Sequence, residues 1–406
     1  MANRFIKSSH CASLSFSGVC ASLILLGAMT AEGATYYVAT TGNDSNSGTS
    51  SSPWRNPQRC TTSPIRAGDT CIVRSGTYTD TNGDGPVVYV HDRTTTPSGT
   101  ASQPITIKSE KPLGAKIVGP SNRNGWGFYV QKPYYVIEGF DISGVNNNSS
   151  TGGGAGILIV DTGDGTIVRL NAIHHIGRQS CTNSTGGFFA VIVRGASGVL
   201  IERNRISYIG RKRNGESGCS TVPDTHDHAI YIKAASGTTI RRNVIYNTIM
   251  GIPIHVYGGT TSNLNIYHNT LHGYTALASS HILLSSTIRT ANIKNNTSTD
   301  ANRAMVRLYN LTASGVTISN NVSSGSLQFG SASGVTFSNN LQNTNPAYIN
   351  KSANDFRLTS SSPVINRGTT SGIPPVPDGK PDSSAYEYSL QSSTASLLTP
   401  TGVSSF

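Results

Sequence analysis

A short motif centred on asparagine recurs along most of this 406-residue chain. It has the form Ile/Val-x-x-Asn-x-Ile/Val/Leu and is clearest around Asn204, Asn243 and Asn269. Variants of the motif surround four more asparagines, which are Asn171, Asn296, Asn321 and Asn340. The intervals between successive asparagines range from 19 to 39 residues. Self-similarity at such a period indicates a solenoid, in which each repeat packs only on its neighbours.

Each repeat is short, rich in β-branched residues and punctuated by Gly, Ser and Asn, with no long helical period. This pattern predicts one coil of a parallel β-helix per repeat. An asparagine at a constant place is expected at a sharp turn, where its side chain can bond to the backbone. Successive asparagines should then stack into a ladder. A low charged fraction of 13% and 43 glycines suit such a chain of short strands and tight turns.

The N-terminus has the features of a secretory signal peptide over residues 1–33. Arg4 and Lys7 form its basic start, the stretch 14–29 is mostly apolar, and Ala31 and Gly33 are small residues suited to cleavage. We therefore predict an exported protein, either extracellular or periplasmic. No later segment is apolar enough to span a bilayer, so no membrane association is expected once the signal is removed.

The net charge is +11, which for an exported protein favours a polyanionic partner. No nucleic-acid-binding motif or basic–aromatic run is present, so nucleic acid is not the expected partner. An acidic polysaccharide is the partner that best suits an exported β-helix. The chain is expected to act as a monomer.

Three segments near the N-terminus carry a family resemblance. They are Tyr36-Tyr37-Val38, then Ala67-Gly68-Asp69-Thr70, then Arg74-x-Gly76-Thr77-Tyr78. Together they resemble the N-terminal cap and first coil of secreted right-handed β-helix proteins of the pectate-lyase superfamily. The resemblance implies an all-β, right-handed parallel β-helix over residues 35–345. It does not select an activity, because this superfamily holds lyases, hydrolases, epimerases and non-catalytic proteins.

The repeat and the resemblance together define five segments. They are a signal peptide (1–33), an N-terminal cap with the first coil (34–80), the parallel β-helix (81–345), a C-terminal capping segment (346–388) and a loose Ser/Thr-rich tail (389–406). A solenoid needs its ends covered, since an exposed last coil offers free strand edges.

Removal of the signal peptide leaves four cysteines, Cys60, Cys71, Cys181 and Cys219. An even number in an exported protein predicts two disulfides, with three possible pairings. Cys60 and Cys71 are close in sequence, while the other two lie in long insertions on successive coils. We predict the pairs 60–71 and 181–219.

Outward residues were sought by aligning the strands that precede each asparagine. With a period of two, the first and third residues of each strand should face the core and the second and fourth should face solvent. The fourth positions predict one outward column containing Arg194, Lys233 and His255. Further outward side chains expected beside it, or on the flanking insertions, are Tyr231, Arg307, His281, Tyr309, His228 and Arg213.

This column suits β-elimination on a uronate polymer. Lys233 is predicted as the base, Arg194 as the clamp on the carboxylate, and His255 or Tyr231 as the acid. The resembling lyases use Lys or Arg as base, often with calcium. Calcium is therefore the candidate cofactor, with Asp224, Asp227 and Glu216 as its candidate ligands.

Other functions on the same fold remain open. Asp224-Thr225-His226-Asp227 resembles the Asp-Pro-His-Asp motif of mannuronan C5-epimerases, with the Pro replaced. A glycoside hydrolase needs a pair of carboxylates, for which Asp224 with Asp227 or Asp161 is a candidate. A non-catalytic cell-surface protein that binds polysaccharide is the remaining alternative.

Overall fold

The computed structural model describes residues 32–149, 152–183, 185–220, 226–274, 280–300 and 302–388. From Gly33 onward the chain forms one compact unit built almost wholly from parallel strands. The strands form three faces, here named A, B and C, and each coil visits them in that order. The predicted all-β, right-handed parallel β-helix is confirmed. Within the described ranges, no helix is long and apolar enough to cross a membrane.

The strands are numbered in chain order. Face A consists of β4 (Pro86–Val90), β7 (Gly125–Val130), β10 (Gly154–Val160), β13 (Phe188–Arg194), β16 (His228–Lys233), β19 (Ile254–Val256), the first parts of β22 (Ser280–Lys294) and β24 (Ala304–Ser319), and β26 (Gln328–Phe329). Face B consists of β1 (Thr35–Val38), β2 (Thr70–Val73), β5 (Ile105–Ser109), β8 (Tyr135–Glu138), β11 (Ile167–Arg169), β14 (Leu200–Glu202), β17 (Thr239–Arg241), β20 (Thr260–Tyr267), the second parts of β22 and β24, and β27 (Val335–Ser338). Face C consists of β3 (Gly76–Thr79), β6 (Ala115–Val118), β9 (Asp141–Ser143), β12 (Ala172–Ile176), β15 (Arg205–Ile209), β18 (Val244–Thr248), β21 (Thr270–Tyr274), β23 (Thr297–Ser298) and β25 (Val322–Ser323). An antiparallel pair, β28 (Tyr348–Asn350) and β29 (Asp355–Leu358), and three 3-10 turns, Pro57–Thr61, Glu216–Gly218 and Lys351–Ala353, complete the described structure.

Inward side chains stack in columns along the axis of the helix. On face A the strand register places eight fully buried apolar residues directly above one another, namely Val88, Phe128, Ile157, Val191, Ile230, Ile254, Ile282 and Val306. Each coil adds about 4.8 Å to such a column. A thin continuous core of this kind explains how a chain with 36% hydrophobic residues forms a stable structure.

The predicted asparagine ladder lies at the turn between faces B and C. The side-chain amide of Asn204 donates to the Oδ1 of Asn243 at 3.0 Å, and Asn243 donates to Asn269 at 3.0 Å. The same bond repeats between every neighbouring pair from Asn171 to Asn340. From Asn204 onward each Oδ1 also accepts the backbone N–H of the asparagine one coil earlier, as Asn243 does from Asn204 at 3.0 Å, and Oδ1 of Asn171 accepts that of Phe140 at 2.9 Å. The ladder therefore satisfies backbone and side-chain groups that are buried away from water.

The residue before each ladder asparagine adopts a left-handed backbone conformation, with φ between 52° and 60°. None of these seven residues is a glycine; they include Leu170, Arg203 and Arg242. A left-handed conformation costs a non-glycine residue about 1–2 kcal/mol. The buried hydrogen bonds of the ladder offset this cost at every coil.

Face B carries an outward column of alternating charge. The register aligns Lys108, Glu138, Arg169, Glu202 and Arg241 on five successive coils. Arg169 pairs with Glu138 at 2.7 Å, and Arg241 pairs with Glu202 at 2.7 Å. The partly exposed pair of Arg169 and Glu138 contributes little on its own, about 0–1 kcal/mol, whereas the carboxylate of Glu202 is largely buried. A shift of one coil would bring like charges together, so the column disfavours that misalignment.

The C-terminal segment 346–388 packs along face C, where Leu358 and Val364 reach Val322 of the last coil. Phe356 packs on Tyr246 with ring centroids 5.8 Å apart. Glu387 is buried and forms ion pairs with Arg242 at 3.3 Å and His268 at 3.4 Å. This cover buries outward apolar groups of face C, since Val244 and Tyr246 form one cluster with Phe356, Ala385 and Tyr386.

Both predicted disulfides are present. Cys60 is bonded to Cys71, and Cys181 to Cys219. The first pair connects the N-terminal 3-10 turn to β2, and the second connects the insertions that precede β13 and β16. Disulfides are typical of exported proteins. The signal peptide and the loose tail lie outside the described residues, apart from residues 32 and 33.

Replacement of Asn243 by alanine is expected to lower the free energy of unfolding by about 3 kcal/mol or more. Several buried groups on both neighbouring coils would lose their partners, at about 1–3 kcal/mol each. Asn340→Ala is the control, because Asn340 ends the ladder and is only half-buried. Urea unfolding of both variants tests this, and equal losses would contradict a cooperative ladder.

Candidate functional site

The outward side of face A carries two neighbouring columns of side chains. The first, here called the central column, contains in order Tyr89, Tyr129, Leu158, Ile192, Tyr231, His255, Leu283, Arg307 and Phe329. The second, the lateral column, includes Val160, Arg194, Lys233, Ser285 and Tyr309. Tyr257 follows Val256, the register partner of Ile232, and so lies at the lateral position next to Lys233.

Arg194 and Lys233 are register partners on adjacent coils, as predicted. The prediction that His255 continues their column is wrong, because His255 pairs with Tyr231 in the central column. The strand begins at Ile254, and the preceding Ile252 packs outside the core against Leu283. His255 still faces outward, as the alternation predicts. Its partner on the preceding coil is Tyr231, two residues before the predicted partner Lys233.

His228 and His255 form a hydrogen-bonded pair of imidazoles. Nδ1 of His228 accepts the backbone N–H of Ile252 at 3.1 Å, and its Nε2 lies 2.8 Å from Nδ1 of His255. The neutral ring of His228 must therefore carry its proton on Nε2 and donate it to His255. Neutral His255 in turn carries its proton on Nε2. His255 is thus a hydrogen-bond donor at that atom and not a base.

Burial keeps both imidazoles uncharged. It lowers the pKa of His255 to about 4 and the pKa of His228 well below its ordinary value, with the neighbouring imidazoles adding to the shift at His228. His228 is almost fully buried beneath the surface. Its predicted role in touching substrate is therefore replaced by a positioning role, since it fixes the tautomer of His255.

Aromatic rings surround this pair. Tyr231 stacks on Phe189 at 5.3 Å and on His228 at 5.5 Å, and it contacts His255 edge-on at 5.3 Å. Tyr257 is half exposed and lies 5.6 Å from His255. Burial raises the pKa of Tyr231 to about 12, so this phenol keeps its proton at neutral pH.

Next to the pair lies a cavity of 280 Å³ on the surface of face A. It is lined by Ile252, His255, Tyr257, Leu283, Ser285, Arg307 and Tyr309. The guanidinium of Arg307 lies over the rings of Tyr309 and Phe329, at 4.7 Å and 5.5 Å from their centroids. The predictions for Arg307 and Tyr309 at an outward site are consistent with this arrangement. The sequence analysis did not include Tyr257 and Phe329 among the site residues, although both occupy positions that alternation predicts to face outward.

Lys233 is exposed at the end of β16. Gly258 on the next coil leaves room for it, since a Cβ at Gly258 would meet the Lys233 stem at 3.1 Å. In the lateral column Lys233 therefore lies between Arg194 on the preceding coil and Tyr257 on the next coil.

The prediction that His281 faces substrate is wrong. Its side chain is fully buried, and its Nδ1 lies 2.8 Å from the hydroxyl of Ser298 on face C. The strands of face A begin with two consecutive inward residues, as in Ala190-Val191 and Met305-Val306, all fully buried. Simple alternation fails at this corner, and His281 occupies the first of the two inward positions.

The two insertions before β13 and β16 form one wall beside face A. Their core is a buried ion pair in which the guanidinium of Arg211 donates to both oxygens of Asp227, at 2.8 and 3.0 Å. Asp227 also accepts the backbone N–H of Phe188 at 2.9 Å. The disulfide between Cys181 and Cys219 joins the same two insertions.

Two of the three predicted calcium ligands already have cationic partners in this wall. The carboxylate of Asp227 is taken up by Arg211, and Glu216 is paired with Arg178. Asp224 lies outside the described residues. Among the residues that are described, no group of three or more His, Cys, Asp or Glu side chains is arranged to hold a metal.

Arg213, predicted to bind substrate, lies away from the face A columns. It lines a hollow with Tyr208 of β15 and Asn247 of β18, both on face C. Two other hollows, of 370 and 580 Å³, lie near the N-terminal coils. Their carboxylates already have partners: Asp44 accepts the backbone N–H of Arg55, and Asp80 pairs with Arg123.

Comparison with known proteins agrees with the architecture. A family model described as right handed beta helix region matches residues 189–362. No curated protein matches the sequence. The fold assignment rests on the strand pairing described above.

Three similar solved structures include both lyases and a hydrolase. Pectate lyase Pel9A shares 17% identity at a TM-score of 0.41, covering 87% of this chain and 96% of its own. The GH136 lacto-N-biosidase from Eubacterium ramulus shares 12% identity at a TM-score of 0.43, covering 76% and 68%. An alginate lyase from Paenibacillus sp. str. FPU-7 shares 17% identity at a TM-score of 0.34, covering 70% and 95%.

The tautomer of His255 is directly testable. Nitrogen-15 NMR of the imidazoles at neutral pH should show His255 protonated on Nε2 and unprotonated on Nδ1, because His228 donates to Nδ1. His228→Phe removes that donor and should allow the other tautomer of His255 to appear. An unchanged His255 spectrum in this variant would contradict the assigned direction of the hydrogen bond.

Buried His281 is expected to make the protein acid-sensitive. Burial lowers its pKa from 6.5 to about 3, so the folded state favours the neutral ring. The resulting stability is complete above pH 6.5 and is lost as pH falls toward 3, at about 1.4 kcal/mol per pKa unit. His281→Gln should flatten the decline of melting temperature over this range. Exposed His226→Gln is the control and should leave the slope unchanged.

Proposed function

We propose that face A binds an acidic polysaccharide and that the protein cleaves this polymer by β-elimination, with Lys233 as base. One observation carries the proposal: Arg194, Lys233 and Arg307 share the outward surface with the rings of Tyr231, Tyr257 and Tyr309. Among the described strands of face A, no outward side chain is a carboxylate. The cations of this surface attract uronate carboxylates.

Each group has a physical reason to bind such a polymer. A guanidinium can contact a carboxylate through two parallel hydrogen bonds, which suits Arg194 and Arg307. Tyrosine rings offer apolar faces for sugar rings and a polar hydroxyl at the edge. The net charge of +11 adds a long-range attraction for polyanions.

The reaction needs three roles. The base takes the proton from C5 of the uronate, the electron pair forms a C4–C5 double bond, and the C4–O bond breaks with its oxygen taking up a proton. Arg194 neutralises the carboxylate, which stabilises the charge that develops beside C5. Tyr231, whose pKa is raised to about 12 by burial, is the proposed acid. His255 donates a hydrogen bond from Nε2 to a substrate oxygen.

The same surface favours elimination over glycoside hydrolysis. Hydrolysis needs two carboxyl groups, about 5 to 9.5 Å apart. The cavity beside His255 has no carboxylate among its lining residues. A C5-epimerase would share the proton abstraction but leave the chain intact, and a binding protein would bind the polymer without turnover.

The test follows ultraviolet absorbance and reducing ends together, using the mature protein on pectate, alginate and glycosaminoglycans. Elimination raises both, because it creates a conjugated double bond and a chain break. Lys233→Ala should abolish turnover, and Arg307→Ala should raise KM at least tenfold. Exposed Lys380→Ala is the matched control and should behave as wild type.

Other outcomes identify the alternatives. New reducing ends without absorbance indicate hydrolysis. Deuterium incorporation at C5 without chain breaks indicates epimerisation. Full elimination activity in Lys233→Ala would overturn the assignment of the base.

A further inference from the structure

Face A changes character along its length. Strands β4, β7 and β10 contain no Asp, Glu, Lys, Arg or His, whereas β13, β16 and β24 contribute Arg194, Lys233 and Arg307. The outward surface therefore has an uncharged half toward the N-terminus and a cationic half toward the C-terminus. Both halves belong to one continuous central column, in which Ile192 pairs with Leu158 on one side and Tyr231 on the other.

The uncharged half is built from packed rings and aliphatic side chains. Tyr129 stacks on Tyr89 at 4.9 Å with an interplanar angle of 21°, and Trp126 lies 5.1 Å from Tyr129. Leu158 and Ile192 continue this surface toward the cationic half and pack in the same cluster. Tyr89 is held in place by a 2.8 Å hydrogen bond from its hydroxyl to Gln131.

Three carboxylates border this half, together with two guanidiniums. Burial raises the pKa of Tyr89 and of Tyr129, and nearby carboxylates add to the shift at each phenol. The carboxylates are Asp84 and Asp92 for Tyr89, and Asp161 and Asp92 for Tyr129; Arg93 acts in the opposite direction on Tyr89, and Arg194 does so on Tyr129 more strongly than either carboxylate. A uronate placed here would lose hydration against rings and face like charges, both of which are unfavourable.

We propose that the uncharged half binds neutral sugars through their apolar faces, so that the preferred polymer is a mixed one with neutral residues next to uronates. This inference rests on the proposed function, because the cationic half must hold the uronates. The polymer lies along the face with its neutral stretch over Tyr89, Trp126 and Tyr129. Its uronates lie over Arg194, Lys233 and Arg307.

The spacing of the coils supports one continuous chain. Coils recur about every 4.8 Å, close to the advance of one sugar along an extended polymer. The cationic half spans the five strands β13, β16, β19, β22 and β24. A pure uronate oligomer should therefore gain affinity only until it fills these five coils.

The experiment moves the boundary between the halves. Ile192→Lys places a cation in the central column at the border with the uncharged half, next to Leu158, and Ile349→Lys makes the same change at a half-exposed position away from face A. Both are made in the Lys233→Ala background to prevent turnover. Calorimetry then compares binding of polygalacturonate, a pure uronate polymer, with deacylated gellan, in which neutral sugars separate the uronates.

Without further change, the Lys233→Ala protein should bind gellan at least tenfold more tightly than polygalacturonate. Ile192→Lys should reduce that ratio at least fivefold, and Ile349→Lys should not change it. Tyr129→Ala, with a melting temperature checked against wild type, should weaken gellan binding and spare short uronate oligomers.

Two failures are distinguishable. A ratio that is unchanged in Ile192→Lys, or a preference for polygalacturonate from the start, overturns the division of the face while the proposed function stands. No binding of either polymer, together with no turnover by wild type, overturns both.

Discussion

The surface chemistry of the cationic part of this β-helix depends on the asparagine ladder, because the ladder fixes where each coil turns from Asn171 to Asn340. Its buried amides bond to each other and to the backbone, and they hold a left-handed residue before each turn. The intervals between asparagines vary in sequence, but most of the extra residues lie between faces C and A. The longest such segments connect β12 to β13 and β15 to β16. Insertions therefore accumulate along one edge of face A without disturbing the register of the strands.

A constant register explains why the fold was predictable from sequence. The repeat of Asn204, Asn243 and Asn269 predicted parallel coils, and alternation within β13 and β16 correctly paired Arg194 with Lys233. These features are local, since each coil repeats the spacing of the one before it. The partner of His255 on the preceding coil was not predictable. The short segment before β19 places Ile254, and not Ile252, next to Ile230.

Other parts of the site depend on partners that are distant in sequence. His281 is buried because its corner has two consecutive inward residues. The hydroxyl of Ser298 on face C lies within hydrogen-bond distance of its ring. Asp227 looked like a ligand in the sequence, but Arg211 in the same insertion neutralises it inside the wall. Period and composition identify which residues can face outward. They do not identify which charged groups have already found partners.

The histidine pair links the wall to the chemistry of face A. Asp227 immediately precedes His228 and is fixed by Arg211 and by the backbone of Phe188. The ring of His228 is oriented in turn by the backbone N–H of Ile252 on the next coil. These constraints leave His255 one available proton, on the nitrogen that faces the cavity. The segments between faces C and A, which vary most in length between coils, therefore determine which nitrogen of His255 on β19 carries the proton.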